Sequence, residues 1–349
     1  MPGRIGSGYT DPPRSRLRPA VRARAASRQK EDEGVAVMTR SRIERPILFI
    51  LVTCNAMRWL PDVVESLEAS GCGDVWAVDH GSTDGTWEWL VHHLDTDARV
   101  RAPNLGFGRG NNRGLRVAQT RGYRYVYLVN QDARVEPEGV RMMFEWMEAR
   151  QDDALVLSPV QKNWGGTKPY PHFEQYYAPD WRDHDQPFRV KFINAAAWMM
   201  SMRTLRAVGG FNPVFFMYGE DEEWGARLGA VGGSFWVHPD ALVFHEEPTP
   251  PPLATVLERM AFGDEVTRFF AGRQPASSWK RSFWFRAGAR AFQPKRWIHA
   301  LTGRTLRAER AVKKRMFPAL RDWEVLRAQT QQEAVRYLDR DNDACVLRP

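Results

Sequence analysis

Apolar positions along the chain set the first expectations. Ile47 to Val52 (ILFILV) is a short uninterrupted apolar run, which predicts a buried strand. Between Trp59 and Ser70, Leu60, Val63, Val64 and Leu67 recur at helical spacing and predict an amphipathic helix. VWAVD, ending at Asp79, reads as a second strand, and Asp84 stands where it can cap a helix reaching about Leu94. Val100 lies in a third, short strand. Gly110 to Thr120 reads as another helix, YRYVYLV as a fourth strand, Pro137 to about Ala149 as a helix begun by its proline, and LVLSPV as a fifth strand. Alternation of this kind predicts an α/β domain with a mostly parallel sheet and helices on both faces. Ligands of such sheets bind beyond the carboxyl ends of the strands.

After Val160 the pattern changes. Residues 161–189 lose periodicity and crowd Trp164, Tyr170, Phe173, Tyr176, Tyr177 and Trp181, which fits either a satellite core or a mobile lid. A strand-like INAAAWMM, the segment GGFNPVFFMYGEDEEW and a last strand pair ending at VFHEE follow. The proline run 248–252 marks a boundary. The expected organisation is a disordered basic leader over 1–45, a catalytic domain over 46–253 and a helical basic-aromatic tail over 254–349. Met38 offers an alternative to Met1 as the start of translation.

Charge sharpens this division. Residues 1–45 hold 11 Lys/Arg against 5 Asp/Glu, and 254–349 hold 20 against 10, so a chain of net +8 carries a net −8 over 46–253. A nucleic-acid enzyme needs its basic surface around the site; here the motif-rich centre is acidic, which argues against a nucleic-acid partner and suits a cation. No run of 18 apolar residues occurs, so no spanning helix is expected. Three scattered cysteines (Cys54, Cys72, Cys345) give neither a disulfide framework nor paired metal spacing, as in a reducing compartment.

Four polar clusters fall at strand ends. Asp79-His80-Gly81-Ser82-Thr83-Asp84 places a carboxylate before a tight turn, able to meet a base or ribose. Asn104 to Asn112 carries Gly106, Gly108 and Gly110 ahead of a helix, where backbone can approach a ligand closely. Asn130-Gln131-Asp132 follows the most apolar strand, and a carboxylate there can hold a hard divalent cation. Glu220-Asp221-Glu222-Glu223 opens a helix after an aromatic run, and His245 at a later strand end is a possible metal ligand.

In this order and spacing the four clusters resemble the family 2 glycosyltransferases, in particular rhamnosyltransferase-like members. VDHGSTDGT, NLGFGRGNNRG, LVNQD and GGFNPVFFMYGEDEEW are the matching motifs, spread over roughly 46–250. The resemblance implies a glycosyltransferase A-type nucleotide-sugar-binding domain with a helical C-terminal extension. It implies inverting transfer of a sugar, a hexose or rhamnose, from a nucleoside-diphosphate sugar to a hydroxyl acceptor, with Mg²⁺ or Mn²⁺ as cofactor. Residue by residue, Asp79 and Thr53 would line the nucleotide pocket along with Asn104, Gly106 and Asn112. Asp132 would bind the metal with His245, and Asp221 of the Glu220-Asp221 pair would be the base. Two positions depart from the pattern: His80 stands where Asn or Asp is usual, and Asn130 replaces one carboxylate of the metal motif.

Two rival classes remain in view. Gly106-x-Gly108-x-Gly110 hints at a nucleotide-binding oxidoreductase, but the glycine spacing and the two preceding strand–helix units are wrong for a dinucleotide fingerprint. A non-catalytic sugar- or lipid-binding protein would tolerate neutralising Asp132 and Asp221. The tail interleaves Trp279, Phe283, Trp284, Phe285, Phe292 and Trp297 with basic residues, a pattern suited either to an anionic membrane or to a helical tail whose aromatics pack on the catalytic domain with its charges solvated. With a glycan or lipid-linked acceptor in polysaccharide or cell-wall assembly, the expected location is the cytoplasm, peripherally on the inner face of the membrane.

Overall fold

The computed structural model describes residues 45–150 and 153–247, with scattered helical positions between 262 and 337. The leader, the proline run and most of the tail lie outside the described residues.

Strand β1 (Ile47–Thr53) is an interior strand, with residues buried on both of its faces. Ile47, Phe49 and Leu51 enter one core, while Leu48 and Ile50 enter the other. Each such side chain contributes on the order of 1.5–3 kcal/mol when fully buried. Helix α1 (Leu60–Ala69), strand β2 (Gly73–Asp79), helix α2 (Thr86–His93) and the short strand β3 (Arg99–Arg101) follow. Then come α3 (Phe107–Arg121), β4 (Tyr125–Asn130), β5 (Ala133–Val135), α4 (Pro137–Glu148) and β6 (Leu155–Asn163). Strands β7 (Phe188–Val190) and β8 (Ala197–Ser201), helices α5 (Met202–Val208) and α6 (Glu220–Ala230), and β9 (Ser234–His245) complete the described elements. Helices α1, α2 and α4 pack on one face through Leu60, Leu90 and Met143; α3, α5 and α6 pack on the other through Leu115, Leu205 and Trp224.

The architecture is of the expected glycosyltransferase A type, and its sheet is mixed. Strand order is β3-β2-β1-β4-β8-β6-β9-β5, with β7 on β9. β3, β2, β1 and β4 are parallel neighbours, as are β6 and β9. β8 runs antiparallel between β4 and β6, and β5 and β7 pair antiparallel with β9. The reason is local. A helix follows each of the first strands and carries the chain across the sheet, whereas an irregular segment follows β6 and returns the chain without a crossover.

Other expectations shift in detail. The anticipated last strand pair is one strand, β9, whose register against β6 slips between Pro159 and Val160. INAAAWMM is a strand only from Ala197. Asp84 lies one residue before the cap of α2; Gly85 occupies that position in a left-handed conformation, and Asp84 Oδ1 accepts from the Thr86 amide at 3.1 Å. In the aromatic segment, Tyr170 and Phe173 are core residues and Tyr176 is exposed, so the satellite-core reading holds for the first two.

The tail reading changes too. Trp279 and Phe283 are buried, in a third cluster with Phe262, Phe269 and Trp323 that packs against Val214 and Phe215 just before α6. For these two rings the packing reading holds. Trp284, Phe285, Phe292 and Trp297 lie outside the described residues. Among the described residues no helix is long and apolar enough to cross a membrane.

Candidate active site

Thr53 and Asp79 meet where β1 and β2 end. Thr53 Oγ1 donates to Asp79 Oδ1 at 3.2 Å, and the Gly81 and Ser82 amides donate to Oδ2 at 3.2 and 3.1 Å. Ser82 Oγ also donates to Oδ1, and Arg101 Nε lies 3.5 Å from Oδ2. Asp79 has no exposed surface. Its carboxylate therefore braces the turn, and the polar groups facing outward belong to its neighbours. Asn55, at φ 53°, accepts from the Thr83 amide at 2.9 Å and donates its own amide to Ser82 Oγ at 2.8 Å. His80 is buried beside α3; desolvation, then Arg113, pushes its imidazole down to about 4, so it is neutral at pH 7.

The 104–112 segment is packed differently from the expectation. Its glycines are filled by protein: a Cβ at Gly110 would lie 2.7 Å from Val52, at Gly108 2.8 Å from Phe211, and at Gly114 2.5 Å from Ile50. They let α3 settle on β1. The Gly106 amide is taken by Asn104 Oδ1 at 3.1 Å. Asn112 donates to the Phe211 carbonyl at 2.8 Å and accepts from the Phe211 amide at 2.7 Å. With both ends of its amide engaged, Asn112 is a brace between α3 and the segment leading to α6. Asn104 is half-buried beside Cys54, its Nδ2 3.8 Å from Sγ, and stays at the site's edge.

Asp132 and His245 come together although 113 residues separate them in the numbering, because β5 pairs with β9 and places Ala133 opposite His245. His245 Nε2 lies 3.4 Å from Asp132 Oδ1 and 3.4 Å from Asn130 Nδ2. A neutral His245 ring could turn its Nε2 lone pair, and Asp132 its carboxylate, toward a common divalent cation. His245 Nδ1 is buried with no hydrogen-bond partner. These residues fit a divalent cation as a partial ligand set. Among the described residues no group of three or more His, Cys, Asp and Glu converges, so the remaining ligands would come from the donor diphosphate and water.

The surroundings of this pair were not legible in the sequence. Gln131 Oε1 accepts from the Cys54 amide at 2.7 Å, and its Nε2 donates to the Cys54 carbonyl at 3.3 Å, tying the metal motif to the end of β1. Glu246 accepts from Trp59 Nε1 at 3.0 Å and Arg58 at 3.1 Å, while its amide donates to the Asp132 carbonyl at 3.0 Å. Tyr170 stacks on His245, ring centroids 4.8 Å apart. All three relationships are long-range, and no spacing signals them.

Glu220 and Asp221 open α6 behind Gly219, whose φ is 93°. Asp221 Oδ1 accepts from the Glu222 amide at 2.9 Å and Oδ2 from the Ala195 amide at 3.4 Å. Glu220 is buried, with Oε2 lacking a partner. Burial, then the charge of Asp221, pushes Glu220 up to about 8; burial raises Asp221 too, against the amides that hold its charged form. Asp221 keeps some exposure and points where Tyr177 feels its charge. Two adjacent buried acids disfavour holding two negative charges at once, and burial raises both. A cavity of about 380 Å³ lined by Arg189, Lys191, Gly225, Leu228 and Phe235 lies toward the other end of α6 and holds none of these residues.

Residues 48–209 match the family model Glycosyl transferase family 2, which supports the family 2 glycosyltransferase reading of this domain. No curated protein matches the sequence significantly. Among solved structures, the chain is similar to GalNAc-T7 with UDP, GalNAc and Mn²⁺ (TM-score 0.48, 12% identity, 66% of this chain and 51% of that one). It is similar to S. aureus TarS 1–349 (TM-score 0.46, 16% identity, 85% and 93% covered). It is also similar to the mannosyltransferase PcManGT from Pyrobaculum calidifontis in complex with GDP-Man and Mn²⁺ (TM-score 0.47, 16% identity, 83% and 92% covered). The chain thus spans about half the length of the GalNAc-T7 chain. Nothing about substrate follows from these likenesses.

Proposed function

We propose that the chain transfers a sugar from a nucleoside-diphosphate sugar to a hydroxyl acceptor, with inversion and with a divalent cation. One observation carries this reading: Asp132 and His245 are brought to 3.4 Å where β5 and β9 pair, and a second carboxylate, Asp221, is held at the head of α6 by the Ala195 and Glu222 amides. The match to the family 2 glycosyltransferase model supports the same conclusion.

Each residue then has a task. Asp132 and His245 would hold Mg²⁺ or Mn²⁺, which when bound neutralises charge on the departing diphosphate. Asp79 and Thr53 fix the turn that walls the nucleotide pocket. Asp221 accepts the proton of the attacking hydroxyl at a carboxylate oxygen, and the Ala195 and Glu222 amides hold that carboxylate in place. Burial favours the protonated form of Glu220, which lessens the repulsion on a charge at Asp221. Peripheral work at the inner face of a membrane belongs to the same proposal.

A thermal-shift panel of nucleoside diphosphates with and without Mn²⁺ or Mg²⁺ tests it. A matched nucleotide at 100 times its Kd would add about 2.7 kcal/mol of stability, and more with the cation than without. Asp221→Asn is expected to lower turnover by at least about a hundredfold with nucleotide binding retained. A fully active Asp221→Asn beside a dead Glu220→Gln would move the base to Glu220. No stabilisation by any nucleotide would remove the reading.

A further inference from the structure

Gln161 is a polar side chain near the carboxyl end of β6 with no exposed surface, opposite Val243 of β9. Its Oε1 is buried without a hydrogen-bond partner, which costs stability and calls for a reason. Its Nε2 donates to Asn194 Oδ1 at 2.7 Å. Asn194 is half-buried, and among the described residues nothing else engages its side chain. The bond holds the Asn194 carboxamide with Oδ1 toward Gln161, so Nδ2 turns the other way. Asn194 also stands between the two polar centres of the site. The next residue, Ala195, gives its amide to Asp221 Oδ2 at 3.4 Å. The one after, Ala196, accepts at its carbonyl from the amide of Asn130, at 2.9 Å, and Asn130 belongs to the same motif as Asp132. On the other side, β6 runs on from Gln161 to Asn163, which is paired with His245.

We propose that Asn194 contacts the sugar being transferred, donating from Nδ2 to one of its hydroxyls, and that Gln161 is the positioning residue that holds Asn194 in that pose. This rests on the glycosyltransferase reading. In a displacement, the group in transfer lies between the leaving diphosphate and the base. A cation at Asp132 and His245 marks the first and Asp221 the second, and Asn194 is tied through its neighbours to both sides. The chemistry of the side chain agrees. Phosphate oxygens are best met by charged donors, whereas a neutral carboxamide gives a hydroxyl direction without charge. A site built to bond one hydroxyl rejects a sugar that lacks it or turns it away, because the polar group of the site is left unpaired. Asn194 thereby helps decide which sugar is accepted. The same task explains the buried amide of Gln161, since leucine in its place would leave Asn194 free to turn.

Calorimetric titration of the full chain with Mn²⁺ tests the assignment, using UDP, GDP and dTDP beside UDP-glucose, UDP-galactose, UDP-GlcNAc, GDP-mannose and dTDP-rhamnose. Asn194→Ala should weaken the nucleotide sugar that the parent binds by about two- to tenfold, the worth of one neutral hydrogen bond, and leave its nucleoside diphosphate unchanged. Gln161→Leu should weaken the same nucleotide sugar and not its diphosphate, although residue 161 touches neither, and its Tm should be equal or higher because the unpaired oxygen is gone. This second variant keeps the test open if Asn194→Ala loses stability. A glutamine with a structural role alone would lower Tm on substitution and leave the two ligands in their parental ratio. No loss of nucleotide sugar in Asn194→Ala, or an equal loss of nucleotide sugar and diphosphate, would overturn the contact while nucleotide binding by the parent upholds the transfer reading. Binding of diphosphates without any nucleotide sugar also overturns the contact. Absence of all nucleotide binding by the folded parent overturns both.

Discussion

Gly106 faces Phe216 so closely that a Cβ on the glycine would lie 1.9 Å from the Phe216 carbonyl oxygen. The next amide, that of Phe107, donates to the same carbonyl at 3.0 Å. The start of α3 is thereby fastened to the chain entering α6. Gly106 also has φ 97°, which an L side chain seldom adopts.

Gly106→Ala is therefore expected to cost on the order of 2–4 kcal/mol, because both the conformation and the backbone contact are lost. Gly229→Ala serves as the comparison. Nothing lies within 4 Å of a Cβ there, the site is in α6, and the change should be neutral or stabilising by about 0.5–1 kcal/mol. Chemical denaturation of both variants reads the difference; equal stabilities would show that the loop adapts.

Asp132→Asn removes the carboxylate that shares the Nε2 of His245. Mn²⁺ affinity in the presence of nucleoside diphosphate should fall by at least about 10–100-fold, as for loss of a residue that supports a metal site. Electron paramagnetic resonance of free Mn²⁺ measures this without turnover. The melting temperature of the metal-free protein should change little, since Asp132 is partly exposed.

The buried acids predict a pH dependence of stability with a definite sign. Glu220 is raised by burial from 4.5 to about 8, so between those values the folded chain holds a proton that the unfolded chain has lost. Stability must then fall as pH rises through that window. Glu220→Gln carries no such proton, and its stability relative to the parent should increase steadily from pH 5 to pH 8. Parallel curves would mean that Glu220 is ionised in the fold.

Phe283 is fully buried and Trp279 nearly so. Phe283→Ala is expected to destabilise by about 3–5 kcal/mol. Vesicle co-sedimentation should be unaffected at temperatures where the variant stays folded. Loss of vesicle binding with unaltered stability would return this ring to the membrane surface.

The parts of this protein that could be read from sequence are those governed by neighbours along the chain. The β1 run, the apolar stripe of α1 and the proline at the head of α4 each gave the right element, because period and capping are local properties. The direction of β8 could not be read, since nothing within Ala197–Ser201 states which strands lie beside it. The candidate site divides in the same way. Asp132, Glu220 and Asp221 stood out through position at an element's end. Asn112 was misjudged because a helix-start amide looks the same whether it meets a ligand or the backbone of Phe211. Gly106, Gly108 and Gly110 show the same ambiguity, as a gap for a ligand and a gap for Phe216, Phe211 or Val52 leave one signature. Gln131, Tyr170 and Glu246 became visible only once β5, β6 and β9 were in register.

The bracket between Asn112 and Phe211 also sets a timetable for synthesis. Its two halves are 99 residues apart, so at 5–20 residues per second α3 waits roughly 5–20 s for its partner to be made. During that interval β4 has β1 on one side and an open edge on the other, because β8 has not yet emerged. Its outer row of backbone groups is then unpaired on the nascent chain. The nascent polypeptide is most exposed to aggregation and to chaperone capture between completion of β4 and release of β8, and a translational pause in that stretch would prolong the exposure.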